Sequence, residues 1–200
     1  DYPPLDHLEL HLPDGYVQYS GDGLPFSART IPHRTHVFRI DVPRGSTLEF
    51  FLRVQSDGHI QFPIYAMSPA AFQRRDHTEQ YAFGLYYGII LVLSVYNLIL
   101  FFIVRDTAYL YYLLYISGYG LVQMSLNGLA VEYFWPNAPW WANRSLPLLI
   151  GWTFLWGLQF TRRLIDTPVY APLLDRAVRA AMAMLVGLMV LAVASTYFAA

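Results

Sequence analysis

Two patterns of apolar residues divide this chain. Before residue 79 they alternate over short stretches, and beyond it they run unbroken for helix lengths. Leu8, Leu10 and Leu12 alternate with Glu9 and His11, the period of a strand with one buried face. Phe38, Ile40 and Val42 alternate with Arg39 and Asp41 over His36–Val42. Leu48, Phe50, Leu52 and Val54 alternate with Glu49, Phe51, Arg53 and Gln55, and Ile60–Tyr65 is a fourth candidate. Asp14-Gly15, Gly21-Asp22-Gly23, Pro43-Arg44-Gly45 and Asp57-Gly58 supply the turns between them. Short strands divided by such turns predict a β-sandwich. Four or five strands are too few to close one, so the expected architecture over residues 1–68 is the C-terminal part of a sandwich whose first strands lie upstream.

The second pattern predicts membrane spans. Gln80–Val104 and Thr107–Val131 are charge-free runs of 25 residues each, parted only by Arg105 and Asp106. Ser145–Thr161 adds 17 residues and Ala180–Ala200 another 21. A hydrocarbon core needs about 20 residues of helix. The expected fold class is therefore a membrane protein: a partial extracytoplasmic β-sandwich, a linker at 69–79, and a helical transmembrane domain over 80–200. Its four spans are placed at about 80–104, 107–128, 145–161 and 180–199. The two residues between the first and second spans leave room only for a tight antiparallel hairpin.

Charge fixes the expected orientation. One set of loops holds Arg105, Arg162, Arg163, Arg176 and Arg179; the other holds Arg144, with Arg74 and Arg75 ahead of the first span. The excess of positive charge places the first set in the cytoplasm and residues 1–79 outside. No expected span carries an ionisable group in its interior, which weighs against an ion-coupled pump. Asn97, Gln123, Asn127 and Gln159 read as interhelical hydrogen-bonding residues, and Gly84 with Gly88 as a close-packing pair.

Composition sharpens the division. Apolar residues make up 56% of the 200 residues and charged ones 14%, against about 25% charged in an average domain. Residues 1–79 hold seven Arg and ten acids, whereas residues 80–200 hold six Arg and four acids. All six His fall in the first part and all five Trp in the second. A net charge of −1 excludes a nucleic-acid binder driven by bulk positive charge. There is no Cys and no Lys, so disulfides, thiolate chemistry and a lysine Schiff base are excluded within these residues. The chain starts without Met and stops inside an apolar run, as expected of a piece of a longer protein.

Candidate chemistry is sparse. Arg39, Arg53, Gln55, Gln61 and Tyr65 form the candidate ligand-binding set, on the solvated side of the expected sheet. The same residues also suit the wet side of any half-buried sheet. His33 and His36, flanking Arg34, lack a third metal ligand, and Asp57 with His59 has no nucleophile beside it. No metal, no cofactor and no catalytic residue is expected. Trp135, Trp140 and Trp141 crowd a Pro-stiffened turn, Val131–Arg144, at the expected outer boundary. They suit an interfacial anchor in lipid or a docking plate for the outside domain.

Tyr86-Tyr87-Gly88, Tyr96-Asn97-Leu98 and the run from Arg105 to Tyr112 resemble the bacterial seven-transmembrane receptors with diverse intracellular signalling modules. So do Asn127-Gly128, Trp135-Pro136, Trp140-Trp141, Asn143-Arg144 and Phe160-Thr161-Arg162-Arg163. Leu24-Pro25-Phe26, Pro32-His33-Arg34 and Leu52-Arg53-Val54 resemble the end of that family's outside domain. The resemblance implies a periplasmic jelly-roll-like domain for carbohydrate or another small ligand, seven helices in the bacterial inner membrane, and a cytoplasmic kinase or cyclase module acting as a homodimer. It expects a receptor that relays a periplasmic signal to an output module beyond these residues. The alternatives are a transporter subunit with a substrate-capturing domain, and a membrane enzyme built around Glu132, the only acid in the aromatic turn.

Overall fold

The computed structural model describes residues 5, 7–43, 45–55 and 63–198. The chain divides into two compact units. A sheet unit comprises Asp1–Ala66 and Gln123–Leu146; a helical unit comprises Met67–Val122 and Pro147–Ala200.

In the sheet unit, β1 (His7–His11), β2 (Val17–Ser20) and β3 (Phe51–Gln55) form an antiparallel sheet in the order β2-β1-β3. Leu8 and Leu10 point inward and are 3% and 2% exposed, as their alternation predicts. The Asp14-Gly15 turn joins β1 to β2: Gly15 has φ 80°, and the Tyr16 N–H donates to Asp14 Oδ1 at 3.0 Å. Alternation does not mark β2, because Val17–Ser20 carries Gln18 and Ser20 on its buried face where apolar residues would stand.

Three expected strands take other forms. The third is shorter than its alternation, covering Phe51–Gln55 rather than Leu48–Gln55. Its partner sets the limit, since Phe51 stands opposite His11, the last residue of β1. His36–Val42 is not a strand. Its backbone is held by a side chain instead: Gln18 donates from Nε2 to the Arg39 carbonyl at 2.6 Å and accepts the Arg39 N–H at Oε1, 3.1 Å away. In the fourth candidate, 60–62 lies outside the described residues and Pro63–Tyr65 is not a strand. The described residues thus hold a single three-stranded sheet.

The helical unit is built on α1 (Pro69–Val104), α2 (Thr107–Leu126), α4 (Pro139–Ile165) and α6 (Pro172–Phe198), with short α3 (Leu129–Tyr133) and α5 (Thr167–Tyr170) in the connections. The α3 segment and the first turns of α4 belong to the sheet unit, and α4 passes between units at Leu146–Pro147. Among the described residues, Pro69–Val104 and Pro172–Ala194 are the helices long and apolar enough to cross a membrane. Of the most apolar window in each, 6% and 0% is buried. Leu85, Leu91, Phe102, Ile103, Leu188 and Leu191 all face outward. A soluble core helix would bury such faces, whereas these expose them to the surrounding solvent.

Residues 69–79 are helical and continuous with the span that follows. Ser68 caps α1 by accepting the Ala71 N–H at 3.3 Å, and Pro69 sits where its missing N–H has no helical partner to lose. Arg105 ends the helix in the left-handed region, φ 58°. Asp106 then starts α2 by accepting the Ala108 N–H at 2.9 Å. The two-residue hairpin therefore has a stop and a start encoded in adjacent residues.

The glycines that pack are not the expected pair. A Cβ on Gly84 or Gly88 would meet nothing within 4 Å. On Gly118 it would lie 2.6 Å from the Trp152 ring, and on Gly157 3.2 Å from Tyr115. These close approaches join α2 to α4, where Tyr111 stacks on Trp156 with ring centres 5.7 Å apart and Trp152 donates its indole N–H to the Leu114 carbonyl at 3.2 Å. Asn97 bonds within its own helix to the Leu93 carbonyl, and Gln159 accepts from Arg162 one turn on.

Candidate functional site

The sheet presents one polar face. Directly paired residues of an antiparallel sheet point to the same side. Glu9 is paired with Arg53 on one neighbour and Tyr19 on the other, His7 with Gln55, and His11 with Phe51 and Val17. Glu9 is the electrostatic centre: its Oε2 lies 3.2 Å from His11 Nε2 and 3.5 Å from Arg53 Nη1. Tyr19 and Phe51 stand exposed on either side. An acid, a guanidinium, imidazoles and two aromatic rings on one open surface can offer donors, acceptors and stacking planes together.

The candidate ligand residues divide across this geometry. Arg53 and Gln55 lie on the polar face. Arg39 is fastened through its backbone to Gln18, whose position in β2 points it to the opposite face, and its guanidinium pairs with Asp41 at 3.3 Å. Tyr65 is exposed in a stretch with no strand. Gln61, like Asp57 and His59, lies outside the described residues. The nitrogens of His33 and His36 that face their neighbours are taken by hydroxyls: His33 Nδ1 by Thr35 at 2.9 Å and His36 Nδ1 by Ser20 at 2.8 Å. No spacing in the sequence groups Glu9, Tyr19 and Phe51; the Asp14-Gly15 turn is the signal that a paired strand follows β1.

A second site lies around the aromatic turn, which is part of the sheet unit. Gly128, at φ 76°, turns the chain from α2 into α3. Phe134, Trp135, Trp141 and Trp140 form a continuous ring contact, with successive centres 5.9, 6.5 and 5.8 Å apart, and the Arg144 guanidinium lies 5.1 Å from the Trp140 ring centre. Tyr133, Phe134 and Trp140 are exposed.

The inner side of the turn faces protein. The Phe26 N–H donates to the Pro136 carbonyl at 2.8 Å. Ala130 is completely buried. Arg29, only 5% exposed, lies with its guanidinium 5.3 Å from the Phe26 ring centre and donates from Nη1 to the His33 carbonyl at 2.9 Å. Burial pushes its pKa below the ordinary arginine value, while the charges of Asp22 and Glu132 pull it back up.

At the arginine-rich ends of the helices, Asp175 is buried and accepts from Arg162 Nε at 2.8 Å and Thr167 Oγ1 at 3.0 Å, with Arg179 Nε 2.9 Å from its second oxygen. Arg163 pairs with Asp106 at 3.3 Å. The loops assigned to one side by their arginines are therefore tied to each other by ion pairs.

The family described as 7TMR-DISM extracellular 2 matches residues 1–68, and that described as 7TM diverse intracellular signalling matches residues 79–200. No curated protein and no solved structure matches the chain. The two matched domains suggest a membrane-bound sensory receptor with an extracellular N-terminal domain. A helical unit clothed in exposed apolar side chains, preceded by a polar sheet and matched over more than half the chain, places this protein in the family of seven-transmembrane receptors with diverse intracellular signalling modules.

Proposed function

We propose that the chain senses a small molecule, such as a carbohydrate, in the periplasm and relays its binding through the bacterial inner membrane to a cytoplasmic output module beyond these residues. The observation that carries this reading is α1. The chain leaves the sheet unit at Ala66, and from Pro69 to Val104 runs one uninterrupted helix of about 54 Å. In this reading the helix carries a displacement of the residues ahead of Ser68 to the far end of the first span.

In this reading α1, α2, α4 and α6 are four of the seven spans, and the sheet is part of a sandwich completed by other strands. The ligand sits on the polar face, with Arg53 and Gln55 as binding residues and Glu9, Tyr19 and Phe51 around them. Catalysis belongs to the output module and not to these residues, and the receptor works as a homodimer through that module. The aromatic belt contacts membrane lipid, and no nucleic acid is involved. Nothing among the described residues favours the transporter alternative.

A ligand shifts such a receptor only by its differential affinity for two states, about 1–3 kcal/mol of coupling. A four-residue Gly-Ser insertion after Arg75 tests the route. In the full-length receptor, output in response to a panel of mono- and disaccharides is expected to disappear while the protein still inserts. An undiminished response overturns it.

A further inference from the structure

We propose that the sensory domain also grips the connection between the second and third spans, through the Phe26–Pro136 hydrogen bond and the buried Arg29 packed against the Phe26 ring, so that signal enters the bundle there as well as through α1. This inference rests on the receptor reading and adds a second, separable route.

The gripping surface is the loop Asp22–Thr35. Its 3₁₀ turn, Phe26–Ala28, presents the Phe26 N–H to the Pro136 carbonyl at 2.8 Å. This is a direct backbone bond between a segment near the N-terminus and the aromatic turn. Arg29 follows immediately. It is buried, its Nη1 is committed to the His33 carbonyl, and its Nε has no hydrogen-bond partner among the described residues. A buried guanidinium is retained at a cost unless opposite charge compensates it. Asp22, from the loop, and Glu132, from α3, supply that compensation. The two acids offset part of the cost of burying the cation, one from each side of the contact, and displacing either side raises that cost.

The turn it holds is mechanically placed. Gly128 and Pro136 bracket α3, Ala130 has no exposed surface, and the turn leads through Leu126 into α2 and through Pro139 into α4. Arg29 is a positioning residue in this scheme: it contacts no ligand, and it keeps the turn in step with the loop. Glu132, considered from sequence as an enzyme's acid, serves here as its counter-charge.

The test uses the full-length receptor in nanodiscs with Arg29→Gln, Glu132→Gln, the double variant and Arg29→Lys. Amide exchange of the Phe26–Ala28 and Phe134–Ala138 segments is expected to quicken about fivefold or more in each Gln variant, with Leu8 and Leu10 unchanged as a folding control. Basal output of the cytoplasmic module is expected to shift by a similar factor, no further in the double variant than in either single one, and to return toward normal in Arg29→Lys. Should Arg29→Gln lose the β1 protection, Glu132→Gln alone decides. Unchanged exchange in the turn, output unmoved despite faster exchange, or additive effects on output would each overturn the proposal. If the Gly-Ser insertion in α1 abolishes the response while these variants leave output unmoved, only the second route fails. If neither perturbation changes output, the receptor reading fails with it.

Discussion

The two units of this molecule hide opposite kinds of atoms. The sheet unit buries Leu5, Leu8, Leu10 and Ala130, but also Gln18, Ser20, Arg29, Arg34 and Thr35. The helical unit turns Leu, Ile, Val and Phe outward along α1 and α6 and keeps glycine, tyrosine, tryptophan and a bound carboxylate at its helix contacts. The difference is one of solvent. In water, apolar side chains gain by leaving the surface, and a small unit with few of them must satisfy polar groups inside. In lipid, the surface has no such penalty, so helices join where backbones approach closely and rings interdigitate.

The largest expected effect attacks the water side. Leu10→Ala removes a buried aliphatic side chain, 2% exposed, a loss of about 2–5 kcal/mol. Exchange protection of β1, β2 and β3 should collapse while the helical circular dichroism of the remainder survives in detergent. Simultaneous loss of both would mean that the two units do not have separate cores.

The lipid side is sharpened by a pair of glycines. Gly118→Ala forces a methyl group to within 2.6 Å of the Trp152 ring and should cost about 1–3 kcal/mol in thermal unfolding in detergent. Gly84→Ala, in open space, should be neutral or slightly stabilising, because alanine is the better helix former. Equal costs at the two positions would show that contacts between helices do not set the stability of this unit.

The smallest effect lies at the hairpin. The Ala108 N–H, and after it Arg163, hold the Asp106 carboxyl below its ordinary pKa. A carboxyl depressed in the folded chain contributes its full stabilisation above the unfolded value of about 3.9, and loses it as pH falls through the lower folded value. Because the pair is substantially exposed, the contribution is at most about 1 kcal/mol. Melting wild type and Asp106→Asn over a series of pH values falling from neutral should show a gap that narrows as the solution becomes acid. A gap that widens there would reverse the sign and remove the ion pair from the account.

Much of the helical unit was legible because its signals are local. Arg105-Asp106 ends one helix and begins the next through left-handed backbone and a side-chain cap, both properties of adjacent residues. β1 was legible for the same reason, in the alternation of Leu8 and Leu10. The alternation of His36–Val42 misled, since a strand also needs a neighbour's backbone, and here the Gln18 side chain took that place. The candidate ligand set divided because Arg39 and Arg53 alternate alike in sequence, yet pairing alone fixes which face each joins.

What the amino-acid order determined by itself was solvent and local geometry. The run of uncharged residues beyond Glu79 calls for lipid, and turns and caps are written within a few positions. Only the tertiary structure decided partnership: that Gly118 and not Gly84 meets a ring, that Glu9 unites Arg53 with His11, and that the Phe26 N–H finds the Pro136 carbonyl. Such choices depend on residues distant along the chain meeting at close range, where dispersion and charge act over a few ångströms and sequence spacing carries no information about them.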